Sequence, residues 1–149
     1  MFNPAHADRP SLRRMRTSGT FSVATFDSTD VTVEPPITTA LPIGVARMEK
    51  VYDGAVSGRS ATLFTAAYDQ ATGQGTYVAM EAFEGSVDGQ AGTFAYVHSA
   101  TTSGADRSHE FFLVVPGSGT GELAGIRGDG SLVVDADGTH RVTFEYELD

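Results

Sequence analysis

A chain of 149 residues with 19 acids against 10 lysines and arginines has the size of one domain, able to bury a core without covalent staples. It has no cysteine, which excludes a disulfide framework and a thiolate metal site. No apolar run approaches the roughly 20 residues of a membrane-spanning helix, and no leader-like apolar segment follows the first arginines, so a cytoplasmic protein that avoids membranes is expected.

The charge is unevenly spread. Arg9, Arg13, Arg14 and Arg16 precede Thr17 with Asp8 as the only acid among them, while the remaining 133 residues carry 6 bases against 18 acids. Such a surface repels phosphate backbones, which argues against nucleic-acid binding. Residues 1–16, with Pro4 and Pro10 and no periodicity, read as a flexible tail ahead of a single domain at 17–149, with Met15 as an alternative start to Met1.

In chain order, Gly19 to Phe26 alternates as a strand, and a polar connection from Asp27 to Pro42 follows, whose Pro35-Pro36 cannot sit in a central strand. Further alternating runs cover Ile43 to Tyr52, Ala61 to Tyr68, Thr76 to Phe83, Thr93 to Thr101, His109 to Val115, Ile126 to Val134 and His140 to Leu148. One short helical turn is expected at Thr120 to Ala124, and Asp135-Ala136-Asp137-Gly138 reads as a hairpin turn. Eight antiparallel strands in this length make a sandwich or a closed barrel. Consecutive hairpins favour an all-β, eight-stranded, up-and-down barrel, whose interior is filled by side chains or holds one small ligand.

The hairpins are signalled by a repeat. Tyr52-Asp53-Gly54-Ala55-Val56-Ser57-Gly58 returns as Phe83-Glu84-Gly85-Ser86-Val87-Asp88-Gly89, each copy aromatic, acid, Gly, small, Val, polar, Gly. An Asp88-Gly89 turn pairs Phe83 with Phe94, Glu81 with Tyr96 and Ala79 with His98, and places Tyr77 on the same side. The same turn transferred to Ser57-Gly58 pairs Tyr52 with Leu63, Lys50 with Thr65 and Met48 with Ala67. Taking this side as the lumen puts Lys50, the only lysine, and Glu81 inside with Tyr96 and His98, among Tyr52, Phe83, Phe94, Met48 and Leu63. Opposite charges there suggest pairing, since an unpaired buried charge costs several kcal/mol.

Lys50-Val51-Tyr52-Asp53-Gly54, the run from Glu81 to Gly89 with Gly92-Thr93-Phe94 and His98, and above all Ser118-Gly119-Thr120-Gly121-Glu122-Leu123 followed by Asp137-Gly138-Thr139-His140 resemble the DUF3224 family, a bacterial family of unknown function. The likeness covers Phe21 to Leu148. It implies a small closed barrel similar to allene oxide cyclases, of lipocalin-like shape, whose relatives steer a cyclisation of an apolar substrate without cofactor. The chain departs from the family at Phe26-Asp27, where a Trp usually precedes the acid, and in its Pro-rich connection.

The leading functional expectation is therefore a cofactor-free cyclase or isomerase acting on an apolar, polyketide- or lipid-like molecule in the lumen. Glu81 would be acid or base, Lys50 and His98 polarising partners, and Tyr52, Phe83, Phe94, Tyr96, Met48 and Leu63 the contact surface. A carboxylate in a low-dielectric pocket suits such proton transfer. The alternatives are a carrier or sensor of the same kind of ligand and an interaction module whose lumen is packed solid; for the cluster itself the alternative is a structural ion pair with hydrogen-bonded His and Tyr that closes the barrel. Glu122 either caps the helical turn with Ser118 and Thr120 or lines the mouth. The Gly119 to Ala124 segment matches a dinucleotide fingerprint formally, but strand resumes by Ile126 and leaves no helix for a pyrophosphate. The histidines lack metal-ligand spacing, so no metal is expected. Apolar outward residues and the related barrels point to a homo-oligomer, a dimer favoured.

Overall fold

The computed structural model describes residues 13–149. Its strands are β1 (Met15–Ser28), β2 (Ile43–Gly54), β3 (Val56–Asp69), β4 (Gln74–Val87), β5 (Gln90–Ser103), β6 (Asp106–Val114), β7 (Arg127–Val134) and β8 (His140–Glu147), with a single 3-10 turn at Gly121–Leu123. Each strand pairs antiparallel with the next, and β8 pairs with β1, so the eight form one ring-like sheet. All eight expected strands and the helical turn are present. β1 starts inside the stretch expected as tail, with Met15 opposite Tyr146 and Arg16 opposite Glu145; the rest of that expectation, residues 1–12, lies outside the described residues.

The β4–β5 hairpin has the expected register. Asp88 and Gly89 both take positive φ, 51° and 81°, the backbone that a two-residue turn between twisted strands demands, and Glu81 stands opposite Tyr96. The β2–β3 hairpin does not repeat it. Tyr52 pairs with Gly58 and Lys50 with Ser60, because Val56 and Ser57 are already paired with Val87 and Ser86 of β4 and the reversal falls at Gly54-Ala55. This odd shift of register turns β3 over: Ser60, Thr62, Phe64 and Ala66 face inward. Leu63, expected inside, is 58% exposed on the outer face, while Met48 is inward and half-buried.

The interior is closed at one end and filled through the middle. At the closed end Val56, Val87, Val114, Leu123, Ile126 and Tyr146 are buried, and the Asp88 carboxylate accepts hydrogen bonds from Thr17 of β1 (2.7 Å) and Tyr146 of β8 (2.5 Å). β6 is too short to flank the start of β5. The segment after it takes that place: Val115 N–H donates to Ala95, Thr120 N–H donates to Thr93, and the Ser118 hydroxyl accepts from Ala95 N–H and donates to Val115. The middle is aromatic, with Tyr96 stacked on Phe112 at 4.8 Å and Phe83 against Tyr52 and Phe94.

Candidate functional site

The residues expected to form one polar cluster form two. The lower one is built on Glu81, which is 0% exposed. Its Oε1 is ion-paired with Lys50 and accepts from the Thr62 hydroxyl (3.0 Å), and its Oε2 accepts from Tyr52 (3.2 Å). Tyr52 spends its one proton on Glu81, so Tyr96 (2.6 Å) and Ser60 (3.2 Å) donate to it. Lys50 also lies 4.6 Å from the centroid of the Phe21 ring. Among the described residues no buried side-chain nitrogen or oxygen lacks a partner. Burial, then the charge of Glu81, pushes the Tyr52 hydroxyl well above the usual tyrosine range.

The upper cluster belongs to the other end of the ring. His98 Nε2 lies 2.9 Å from Glu110 Oε2, and its Nδ1 lies 3.2 Å from the Tyr77 hydroxyl. Burial holds the imidazole below its ordinary pKa, against a smaller upward pull from Glu110, so it is neutral near pH 7. A carboxylate only accepts, hence Nε2 carries the hydrogen and Nδ1 accepts the proton of Tyr77. Burial raises the pKa of Tyr77. Glu110 reaches this position because of a bulge: His109 and Glu110 together stand opposite Ala100, and His109 has a φ of 52°. β6 and β7 share only the pairs Leu113–Asp129 and Val114–Gly128; beyond them Glu110 accepts from Leu132 N–H and Arg107 donates to Leu132 C=O, bridging the seam.

Above the His98 cluster the ring opens into a hollow of about 490 Å³, lined by Phe26, Ala46, Phe64 and Tyr77 from inside and by Thr29, Pro42 and Tyr68 at the rim. This is the size of a small-molecule site, mostly apolar with a few polar groups. Phe26 meets Phe64 edge-on at 5.7 Å, and Phe64 stacks on Tyr77 at 5.1 Å. Of the residues expected to carry function, none lines this mouth; His98 touches it through Tyr77. Tyr52, Phe83, Phe94 and Tyr96 are buried in the packed middle, Leu63 is outside, and Glu122 is exposed at the closed end, its Oε1 3.5 Å from the Ala91 amide. Thr120 makes no side-chain cap; its hydroxyl is 2.5 Å from that of Thr93 instead. Sequence reasoning placed Tyr77 on the right face without choosing it, and lost Phe64 through the β3 register.

Among the described residues no helix is long and apolar enough to cross a membrane, and no three His, Cys, Asp or Glu side chains gather as metal ligands would. Fold and mouth together define a ring of eight antiparallel strands, solid at one end and hollow at the other. The chain belongs to the family described as "Protein of unknown function (DUF3224)", which it matches over residues 17–146. A crystal structure of a DUF3224 protein of unknown function from Shewanella oneidensis MR-1 is similar, with a TM-score of 0.77 and 24% identity over 92% of this chain and 99% of that one, a likeness of fold. No curated protein matches the chain.

Proposed function

We propose that this protein binds a small, largely apolar molecule in the mouth of a closed barrel of the allene oxide cyclase kind. The observation that carries the reading is the hollow of about 490 Å³ at the open end of the ring, walled by Phe26, Phe64 and Tyr77. Beneath it Glu81 is fully enclosed by hydrogen-bonded neighbours, which fits a role in holding the middle of the ring.

The chain has no tryptophan, so Phe26→Trp places a single fluorophore in the wall of the hollow. Titration with the neutral dye N-phenyl-1-naphthylamine is expected to give saturable quenching of that indole. Gly44→Phe, introduced where a Cβ meets nothing within 4 Å and next to the hollow, is expected to weaken binding at least about tenfold without loss of fold. Dye binding that ignores Gly44→Phe sinks this reading.

A second reading, cofactor-independent isomerisation or cyclisation, is favoured by the Tyr77–His98–Glu110 chain. An acidic ligand proton would pass to the Tyr77 oxygen as the phenolic proton moves to His98 Nδ1, leaving an imidazolium beside Glu110 and an anionic ligand. Deuterium uptake from D2O into an enolisable apolar ketone, followed by NMR, distinguishes it: uptake lost in Tyr77→Phe with dye binding intact supports catalysis, and no uptake in the native chain leaves a carrier.

A further inference from the structure

The outer face of β2 to β5 carries rows of side chains set by the ladder registers. One row runs Leu63, Met80, Val97 across β3, β4 and β5; the neighbouring row is Ala61, Ala82, Ala95. The large row is a ridge, with Leu63 and Met80 at 58% and 49% exposure, and the alanine row beside it floors a hollow of about 430 Å³. On β2 the same two rows end in Arg47 and Glu49: Arg47 stands opposite Leu63, and Glu49 opposite Ala61. Among the described residues neither forms an ion pair.

We propose that this face is a two-fold interface with a second copy of the chain. An axis lying in the interface, parallel to the rows and midway between them, exchanges the rows. One operation therefore seats each Leu63–Met80–Val97 ridge on the alanine row of the other copy and sets each Arg47 against the other's Glu49. Steric and charge complementarity come from the same displacement, which is what an isologous contact requires of a single patch. A strongly acidic partner would leave Glu49 opposed, and a strongly basic one Arg47. A second copy satisfies both.

Sedimentation velocity of the full chain tests the inference. The native protein is expected to be a dimer at micromolar concentration, and Ala82→Arg, a change on an exposed strand position, a monomer with unchanged strand circular dichroism. Arg47→Glu is expected to raise the dissociation constant about tenfold, and Arg47→Glu with Glu49→Arg to restore it. A native monomer across the micromolar range overturns the proposal. So does an Ala82→Arg dimer, an Arg47→Glu variant that associates like the native chain, or a double variant no tighter than the single one. None of these outcomes depends on whether the mouth binds a ligand.

Discussion

Glu81 stands where water does not reach, and four side chains, Lys50, Thr62, Tyr52 and through it Tyr96, satisfy its carboxyl group. Removing one partner of such a pair leaves an uncompensated buried ion, whereas removing both charges together is far milder. Lys50→Met is therefore expected to lower unfolding free energy in urea by about 3–5 kcal/mol, and Lys50→Met with Glu81→Gln to recover most of it, the amide still accepting from Thr62 or Tyr52. A single variant within about 1 kcal/mol of native would mean that Glu81 finds other compensation. Which residues carry these charges was legible in the sequence, because a lone lysine on the face of a glutamate signals pairing. Tyr52 was placed on their side as well, but that Thr62 completes the set was not legible, since Thr62 turns inward only in the observed β3 register.

The elements depend on one irregular segment. The stretch from Val115 to Ala124 replaces β6 beside the first half of β5, and it can lie so close only because position 92 is glycine: a Cβ there would run into the Thr120 carbonyl oxygen. Gly92→Ala is expected to cost about 1–3 kcal/mol by forcing backbone apart, while Gly44→Ala, with open space around its Cβ, stays within about 0.5 kcal/mol. Thermal unfolding of the two variants side by side checks this, and equal midpoints would contradict it. The same scale shows where reading the sequence fails. Asp88-Gly89 is a local turn with local chemistry, and its hairpin follows from it. Ser57-Gly58 has the same local chemistry, but β4 competes for Val56 and Ser57, and a competition between distant segments leaves no mark in a seven-residue repeat. Glu110 was hidden likewise, its approach to His98 depending on a bulge at His109 that no turn residue announces.

Across the whole molecule the ring closes through β1 and β8, so the first described strand and the last are partners. Stability should then follow the protonation of groups that only unfolding exposes. Burial lowers the pKa of His98 in the fold, with Arg107 and Lys50 adding to the effect and Glu110 opposing it, while Tyr77 faces its other ring nitrogen. The unfolded chain therefore binds a proton below about pH 6.5 that the folded chain does not, and stability present above that pH is lost as pH falls. The loss is bounded at about 1.4 kcal/mol per pH unit for one proton. Between about pH 7 and about pH 5 the unfolding midpoint of the native chain is expected to drop more steeply than that of His98→Gln. Parallel slopes would show that Glu110 offsets the burial.

The enclosure of Lys50 has a chemical corollary. It is the only lysine in the chain, and its side chain is 7% exposed. Amine-directed acylating reagents, amine cross-linkers and lysine-directed proteases thus find no exposed lysine on the intact ring. The appearance of an acyl group at Lys50 becomes a clock for ring opening, readable by mass spectrometry without any engineered label.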